Sequence, residues 1–419
     1  MPHVHVRNVN DAFTKLVANF VMSAIQTKEG FPTQRTTSRA GDVAQLLEPI
    51  IVSYAQPRER VLFNEARDAN PFLHLMESLW MLAGRRDIDP IAYYSAKYPT
   101  YVKDGDREVA NGAYGYRWRH ERAVGIKSPS PDIAWNQPDG GGWDQLQALV
   151  QHLKKNPNSR RGVLQMWDPT KDLLQAGGVP YYEHGTEREL YSKDVCCNLC
   201  CVFSITNNAL DMTVYNRSND LVLGMLGANA VHFSFLLEYM AAQLSCEVGV
   251  YHQVSSNLHV YTESFNHQEW LADTTPDHYL RMPRLNSVGL VEFQDQFDKE
   301  LLEFNYGWLG MDLDLMEKMH LPGSDVFKEP FLAHVAYPMA LAYYQHKQRQ
   351  YKIALEWASQ IWADDWRIAC TTWLRRRQAG YNRRKAIDDG VHAANEDKTP
   401  DNPYLENELK RLESGSEHA

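Results

Sequence analysis

Four of the six cysteines lie within one stretch of six residues, at Cys196, Cys197, Cys200 and Cys201. A zinc site would need four converging thiolates, but the segment has the composition of a strand, in which alternate side chains point to opposite faces. A redox pair is also disfavoured, because no thioredoxin-like βαβ unit surrounds the cysteines. Two interpretations remain. Cys200 or Cys201 would suit a buried small hydrophobic role, and a cysteine at the start of the strand could be a nucleophile whose thiolate is stabilised by cations.

Charged groups elsewhere in the chain could support such a nucleophile. Arg160 and Arg161 are adjacent, and paired guanidinium groups can bind a phosphate, although an isolated arginine pair is more often a solvated face. Glu77 falls on an apolar helix face, where a carboxylate is costly unless it is paired or takes part in acid–base chemistry. The net charge of −10 and the pI of about 5.9 argue against general nucleic-acid binding, but they leave room for a small anion in a local basic pocket.

The elements that must position these groups are predicted from periodicity and from helix-ending residues. The chain has 419 residues, of which 44% are hydrophobic and 23% charged, as is typical of a globular protein with a sizeable core. Helices are predicted over about residues 9–27, 71–83 and 145–155, and Pro71 and Gly84 mark the limits of the second. Residues 30–41 are predicted to form a polar loop, and residues 45–54 a strand or a short apolar segment.

Strands are expected on both sides of the cysteine cluster. The segments RRGVLQMWD, CCVFSITNN and ALDMTVYNR have strand length and β-rich composition, and Asn207-Asn208 predicts a hairpin between the last two. A helix over about residues 230–244 and a further strand pair over 248–261 follow. This order predicts an α/β (α+β) fold with a mixed sheet flanked by helices. It lacks the βαβ alternation and the Gly-rich loop of Rossmann and P-loop enzymes.

The character of the sequence changes beyond about residue 320. Helices are predicted over residues 331–348 and 352–378, with basic runs at 375–377 and 383–385 that we expect on a solvated face. We therefore predict a main domain (1–320), a helical C-terminal extension (321–387) and a polar, acidic, poorly ordered tail (388–419). No membrane span and no signal peptide are expected, and the clustered cysteines favour reduced thiols in a cytoplasm.

The segment CNLCCVFSITNNALDMTVYNRSND resembles the active-site region of the thymidylate synthase family, which includes a phage deoxycytidylate hydroxymethylase. In that family a nucleophilic cysteine lies twenty residues before the arginine of an Arg-Ser-x-Asp motif. Residues 217–220 spell RSND, the hydroxymethylase-like form, and counting back from Arg217 reaches Cys197. Five further motifs occur in the family's order: SRAG at 38–41, ESLW at 77–80, NGAYGYRWR at 111–119, NSRR at 158–161 with WDP at 167–169, and NLHVY at 257–261. The resemblance covers about residues 35–265 and does not extend to the last hundred residues.

The resemblance implies a one-carbon transfer to C5 of a pyrimidine nucleoside monophosphate, with 5,10-methylenetetrahydrofolate as cofactor. Cys197 would add to C6 of the base and make C5 nucleophilic, with Glu77 and Tyr114 assisting proton transfer. Residues implied to bind the nucleotide are Arg39, Arg160, Arg161, Arg217, Ser218, Asn229, His259 and Tyr261, and those implied to bind folate are Asp220 and Trp80. Arg160 and Arg161 would act from the partner subunit of a homodimer. No metal site, no membrane and no nucleic-acid partner is expected.

Differences from the family pattern bear on the product and on the base. Asn198 stands where synthases carry histidine, Val202 where they carry glutamine, and residues 93–109 contain tyrosines but no tryptophan. In synthases a tryptophan of that segment shields a methylene intermediate for hydride transfer, so its loss favours capture of water and a hydroxymethyl product. Ungapped counting puts Ala228 at the base-reading position, and one inserted residue puts Asn229 there, whose amide suits uracil. We therefore expect a deoxyuridylate (dUMP) 5-hydroxymethylase. A thymidylate synthase, a dCMP or CMP hydroxymethylase, and a catalytically inactive binding relative are the alternatives.

Overall fold

The computed structural model describes residues 1–24, 30–38, 41–102, 108–120, 143–173, 181–183, 186–188, 193–281, 285–307 and 323–388. Its first ten helices are α1 (Val9–Ala24), α2 (Pro71–Leu82), α3 (Asp89–Tyr94), α4 (Tyr98–Val102), α5 (Tyr114–His120), α6 (Gln145–Lys155), α7 (Asn229–Leu244), α8 (His267–Ala272), α9 (His278–Arg281) and α10 (Gln294–Gly307). Further helices cover Gly323–Val326, Tyr337–Lys347, Tyr351–Ser359 and Asp364–Asp388, and π-helical segments cover Pro169–Leu173, Leu221–Ala228 and Leu332–Ala336.

The strands form two main sheets and one small hairpin. They are β1 (His3–Val6), β2 (Thr33–Ser38), β3 (Gly41–Leu46), β4 (Ile50–Tyr54), β5 (Val163–Gln165), β6 (Tyr181–Glu183), β7 (Thr186–Arg188), β8 (Asn198–Thr206), β9 (Ala209–Asn216), β10 (Asn219–Asp220), β11 (Glu247–Ser255) and β12 (Leu258–Tyr261). The larger sheet has the order β1-β4-β11-β9-β8-β5, with β1–β4 and β11–β9 parallel and the other pairs antiparallel. The smaller sheet has the order β10-β12-β3-β2, and β6 pairs with β7. The predicted mixed α/β fold is confirmed.

The hairpin β8–β9 begins at the cysteine cluster. Its turn residues, Asn207 and Asn208, have φ values of 52° and 63°. Asparagine tolerates this left-handed conformation, which matches the twist of the two strands. Side chains alternate along β9, so that Leu210, Met212 and Val214 are buried on the face that α7 covers. The sequence prediction of this hairpin and of α7 is confirmed.

Helix α2 shows how strongly local sequence fixes one element of the site. The side chain of Asn70 caps the helix by accepting from the backbone N–H groups of Phe72 (3.1 Å) and Leu73 (3.2 Å), and Pro71 occupies the first turn. The helix stops before Gly84, whose φ of 74° favours glycine. Eleven of its twelve residues are buried, and Glu77 is the exception. The helix is therefore a core element that leaves one carboxylate partly accessible.

Three predictions about individual elements are wrong. Residues 33–38 form the edge strand β2 instead of a polar loop, because the backbone of TQRTTS pairs with β3 although its side chains have no apolar alternation. The strands β11 and β12 do not pair with each other, since β11 lies in the larger sheet and β12 in the smaller one. The predicted helix over 352–378 is two helices, separated at residues 360–363, where the Trp362 ring stacks on His334 at 3.5 Å.

The C-terminal helices pack into the same hydrophobic cluster as α2 and α7. The ring of Trp373 contacts Phe72 with centroids 5.5 Å apart, and that of Trp366 lies 6.1 Å from Phe235. The basic run at 375–377 is not the solvated face that was expected, because the side chain of Arg377 is buried and that of Arg376 largely so, and both bind Asp68. The predicted boundary near residue 320 and the predicted tail from 389 onward lie outside the described residues, so this division stays a prediction.

One helical segment among the described residues, Leu221–Leu244, is long and apolar enough to cross a membrane, which the sequence analysis did not anticipate. However, 83% of its most apolar window is buried inside the protein, where α7 packs on α2 and on the larger sheet. Burial of this kind is typical of the core helix of a globular protein. The predicted cytoplasmic location stays a prediction.

Candidate active site

Cys197 lies immediately before β8, and Arg217, immediately after β9, holds its backbone. The backbone N–H of Arg217 donates to the Cys197 carbonyl at 3.0 Å, and the guanidinium donates to the carbonyls of Cys196 (2.8 Å) and Val195 (3.2 Å). The same guanidinium reaches the sulfur of Cys197, with Nη2 and Sγ 3.9 Å apart. An adjacent cation favours the thiolate, which is the nucleophilic form of cysteine. The predicted nucleophile therefore has the predicted cation beside it.

Tyr114, the first residue of α5, fixes the same segment from the other side. Its hydroxyl oxygen accepts hydrogen bonds from the backbone N–H groups of Cys197 (3.2 Å) and Asn198 (3.4 Å). Burial raises the pKa of Tyr114 well above its ordinary value, and the nearby Cys197 and Cys196 sulfurs raise it further. The phenol thus stays protonated at neutral pH and acts as a hydrogen-bonding group rather than as a phenolate base.

Glu77 projects from α2 toward α7. Its Oε2 lies 3.3 Å from Nε2 of His232, and its side chain is 16% exposed. Nε2 of His232 is buried and forms no hydrogen bond within the described residues, so it is an ionisable neighbour of the carboxylate and not a fixed hydrogen-bond partner. Tyr98 lies nearby, since burial and then the charge of Glu77 raise the pKa of its phenol. Glu77 therefore has the surroundings of a group that takes part in proton transfer.

Asn229 begins α7, and its amide lies in a polar cluster with Asn219 and Asn198, the residue that follows Cys197. Its Nδ2 donates to Oδ1 of Asn219 at 3.0 Å, and its Oδ1 accepts from Nδ2 of Asn198 at 3.4 Å. Each of these bonds uses one of the two donors or two acceptor positions of the amide. One donor and one acceptor therefore remain, the combination that a uracil or cytosine edge needs.

The smaller sheet brings Asp220 beside His259. The two residues are register partners in the parallel pair β10–β12, and Tyr261 follows on β12, with its ring 5.4 Å from that of His259. Asp220 caps the next helical segment through Oδ1, which accepts from the backbone N–H groups of Val222 and Leu223. Burial raises the pKa of Asp220, and it lowers that of His259.

The other predicted residues fall into different surroundings. Arg160 and Arg161 are exposed on the turn between α6 and β5, and neither forms an ion pair within the part of the chain that the structure describes. Ser218 is half-buried next to Arg217. Trp80 is only 2% exposed and donates its indole N–H to Asp87, so it presents almost no surface to a ligand. Arg39 lies outside the described residues.

Several groups at the site were missed by the sequence analysis. His232 and Tyr98 lie near Glu77. Arg67 donates from Nη2 to the Val222 carbonyl at 3.4 Å, and its charge offsets part of the rise that burial causes in the pKa of Asp220. Asn219 was noted only as the third residue of the RSND motif, with no role of its own. Tyr98 lay in the tyrosine-containing segment 93–109, which was considered only for its missing tryptophan. Among the described residues, no three His, Cys, Asp or Glu side chains are grouped as a metal site.

Comparison with known proteins gives this arrangement a family. The thymidylate synthase family model matches residues 67–303. A deoxyuridylate hydroxymethyltransferase of Pseudomonas phage M6 is 36% identical over 407 residues, which cover 93% of this chain and 99% of the relative. A deoxyuridylate hydroxymethyltransferase of Bacillus phage SP01 is 33% identical over 52% of this chain and 51% of its own length. A thymidylate synthase of Equine herpesvirus 2 is 30% identical over 54% of this chain and 73% of its own length. With more than half of its length matched by the family model, and with the predicted nucleophile beside the predicted arginine, the chain belongs to the thymidylate synthase family.

Proposed function

We propose that this protein is a one-carbon transferase that makes 5-hydroxymethyl-dUMP from dUMP. The observation that carries the proposal is the contact between Sγ of Cys197 and the guanidinium of Arg217, 3.9 Å apart, with the Asn229 amide in the same site. The two phage relatives named above carry deoxyuridylate hydroxymethyltransferase as their name, and one of them aligns over 93% of the chain. This extent of similarity favours the hydroxymethyl product over the methyl product.

The chemistry begins at the Cys197 sulfur. The thiolate forms a bond to C6 of uracil, and the π electrons of the C5–C6 bond move onto C5 and O4. The resulting enolate makes C5 a nucleophile toward a one-carbon unit. Glu77, paired with His232, exchanges a proton at the O4 edge, and the neutral phenol of Tyr114 orients the water that removes the C5 proton.

The hydroxymethyl product requires water at the last stage. Loss of the C5 proton, with departure of the carrier as tetrahydrofolate, would leave an exocyclic methylene on C5. Water would add to this methylene carbon and lose a proton. The electrons then return through the ring, the C5–C6 double bond forms again, and the Cys197 thiolate leaves C6. Segment 93–109 contains tyrosines and no tryptophan, so this segment offers no indole to shield the methylene carbon from water.

The cofactor that the family implies, 5,10-methylenetetrahydrofolate, supplies the one-carbon unit when it is bound. Asp220 offers an acceptor for a pterin N–H, because within the described residues the hydrogen bonds that it accepts end on Oδ1, so that Oδ2 can accept another. Trp80 does not fit a direct contact, since its indole is buried against Asp87. Asp220 is therefore the residue we propose for folate binding.

A homodimer with shared active sites is also part of the proposal. On the face of the larger sheet that α7 does not cover, Ile51, Val254, Tyr215 and Cys200 are register partners across four strands and are incompletely buried. Tyr215 is 40% exposed. An apolar row of this kind suits a second copy of the sheet. Arg161 lies two residues before β5, at the edge of the same sheet, so a partner packed on this face would bring it toward a neighbouring site.

Mass spectrometry of the product tests the function directly. The purified protein is incubated with methylenetetrahydrofolate and, in parallel, with dUMP, dCMP, UMP or CMP. We expect dUMP to become heavier by CH₂O. A gain of CH₂ would make the protein a thymidylate synthase, and a gain on dCMP or CMP would reassign the base or the sugar. Cys197→Ser should abolish the product, whereas Cys246→Ser, a half-buried thiol outside both the proposed chemistry and the proposed dimer face, should keep it. No product with any of the four nucleotides would contradict the proposal.

A further inference from the structure

Four buried side-chain amides form a continuous chain of hydrogen bonds through the site, which we call the amide relay. It consists of Gln253, Asn219, Asn229 and Asn198. Nε2 of Gln253 donates to the backbone carbonyl of Met225 at 2.9 Å. Nδ2 of Asn219 then donates to Oε1 of Gln253 at 3.2 Å, and Asn229 and Asn198 continue the series in the same direction. The four residues are at most 9% exposed.

One end of the amide relay determines the direction of all its bonds. The Met225 carbonyl can only accept, so the atom of Gln253 that faces it must be the nitrogen. The hydroxyl of Tyr54 donates its proton to the same carbonyl at 3.3 Å, and its oxygen lies 3.3 Å from Nε2 of Gln253. The nitrogen thus faces two acceptors. Turning any single amide over would set oxygen against oxygen or N–H against N–H in a buried environment, where an unmade hydrogen bond is costly.

An asparagine without such neighbours cannot tell uracil from cytosine. Uracil offers an acceptor at O4 and a donor at N3, while cytosine offers a donor at N4 and an acceptor at N3. Rotating a free amide by half a turn exchanges its oxygen and nitrogen, so it can match either base. Discrimination therefore requires something that prevents the rotation.

We propose that the amide relay locks Asn229 in one orientation and thereby makes the site selective for a single pyrimidine edge. Asn219 and Gln253 are positioning residues in this view, because they act through Asn229 and not on the base itself. The inference rests on the proposed function, in which Asn229 faces the base and the accepted base is uracil. The relay ends at Asn198, whose Oδ1 is buried without a hydrogen-bond partner among the described residues, so only its Nδ2 contributes to the lock.

The test compares two substitutions at Asn219 that have opposite effects on the relay. Asn219→Asp keeps an oxygen acceptor for Nδ2 of Asn229. Burial favours the protonated carboxyl, whose hydroxyl can donate to Oε1 of Gln253 in place of Nδ2 of Asn219, so the direction of the relay is kept. Asn219→Leu has a similar volume and no acceptor, so it frees the Asn229 amide to rotate. Calorimetry gives the Kd for dUMP and for dCMP, and their ratio reports base selectivity without requiring turnover.

We expect Asn219→Leu to reduce the selectivity ratio by about tenfold or more, mainly through tighter binding of the disfavoured base, and Asn219→Asp to keep it within about twofold. Asn8→Leu is the matched control, because Asn8 is an equally buried asparagine whose side chain bonds Glu59 and Asp277 and no member of the relay. It should leave the ratio unchanged. If Asn219→Leu does not fold, as judged by circular dichroism, Gln253→Met serves instead. It removes the hydrogen bond to the Met225 carbonyl that sets the direction of the relay, and the same Kd ratio tests the proposal.

The outcomes separate the relay from the proposed function. A folded Asn219→Leu protein with an unchanged ratio overturns the relay while leaving the dUMP assignment intact. A wild-type protein that prefers dCMP overturns the assignment of uracil, and a reduced ratio in Asn219→Leu would then still support the relay. Wild-type protein that binds neither nucleotide overturns both.

Discussion

The guanidinium of Arg217 performs two tasks at Cys197 that a different cation would not combine. It spans the carbonyls of Val195 and Cys196 through two nitrogens, which fixes the loop before β8, and it leaves Nη2 3.9 Å from the sulfur. A lysine carries the same charge as a single point on a flexible stem and cannot make the planar, forked contact. A substitution of Arg217 by lysine therefore keeps the positive charge and removes the forked geometry.

Arg217→Lys should accordingly slow alkylation of Cys197 at neutral pH by about tenfold, because the thiolate loses a fixed neighbouring cation. Peptide mapping by mass spectrometry after timed treatment with iodoacetamide measures this rate. Burial raises the pKa of Cys200 and of Cys246, so these half-buried thiols should react slowly in both proteins. Arg375→Lys, at an exposed position far along the chain, is the control. An unchanged alkylation rate in Arg217→Lys would show that the guanidinium does not activate the sulfur.

Helix α2 is positioned at its beginning by the C-terminal helix Asp364–Asp388. Asp68 lies two residues before the cap Asn70, in a left-handed conformation with φ of 50°. Its carboxylate is 1% exposed and accepts from Arg376 at 3.0 Å and from Arg377 at 2.6 Å. The element that carries Glu77 is therefore joined to a segment about three hundred residues away in the sequence.

Asp68→Asn should lower the free energy of unfolding by about 3 kcal/mol, because it leaves the buried guanidinium of Arg377 without its counter-charge and Arg376 with only the half-exposed Glu65. Asparagine tolerates the positive φ, so the change tests the charge and not the backbone. Urea denaturation measures the loss. Arg375→Gln, in the same basic run but exposed, should change stability by less than about 0.5 kcal/mol. A loss in Asp68→Asn no larger than that of the control would mean that the ion pairs contribute no net stability.

Elements with local signals were predictable, and elements that depend on distant partners were not. Pro71 and Gly84 delimit α2, and Asn207-Asn208 marks the β8–β9 turn, because their conformational preferences act within a few residues. The edge strand β2 has a polar sequence and exists through its ladder with β3, which no local pattern reveals. The assignment of β11 and β12 to different sheets likewise depends on strands far away in the sequence.

The same division holds for the site. Cys197 and Arg217 were found because their spacing of twenty residues is a feature of the sequence itself. The direction of the amide relay was not, because it depends on the Met225 carbonyl facing Gln253 across the fold. His232 also escaped notice, since its pairing with Glu77 joins residues on two helices, α2 and α7, whose packing the sequence did not predict.

At the scale of the whole molecule, we propose that two copies of the chain form the active dimer. Mixing two inactive variants tests this proposal. One variant is Cys197→Ser, and the other combines Arg160→Ala with Arg161→Ala. When the two variants exchange subunits at random, half of the resulting dimers are hybrids. If the arginines act from the partner subunit, one of the two active sites in each hybrid has both an intact cysteine and intact arginines. The mixture should therefore recover about a quarter of wild-type activity.

Mixing Cys197→Ser with Glu77→Gln is the matched control for complementation. Cys197 and Glu77 belong to the same subunit's site, since Tyr114 and α7 connect them within one chain. Every site in such a hybrid carries one defect, so no activity should return. Full activity of a strictly monomeric protein, or failure of the arginine mixture to regain activity after verified subunit exchange, would contradict the shared site.

The stability of the whole fold should depend on pH through histidines that are buried in the neutral form. Burial lowers the pKa of His74 to about 3, that of His120 to about 4 and that of His346 to about 3. The unfolded chain binds protons at these residues once the pH falls below about 6.5, whereas the folded chain does not until its lower pKa is reached. Their contribution to stability is therefore complete above pH 6.5 and is lost progressively as the pH falls toward the folded-state values.

His346 offers the cleanest test, because it lies away from the proposed chemistry. Its ring packs against Trp373 at 5.0 Å and Tyr343 at 5.4 Å, and Arg377 and Lys347 add positive charge nearby. Between pH 7 and pH 5 it should account for about 2 kcal/mol of the fall in unfolding free energy. His346→Phe keeps an aromatic ring in this cage and cannot take up a proton, so its loss of stability over the same interval, measured by urea denaturation, should be smaller by that amount. An identical loss in both proteins would mean that His346 is protonated equally in the folded and unfolded states, which its burial near two cations and among three aromatic rings, those of Trp373, Tyr343 and Tyr351, argues against.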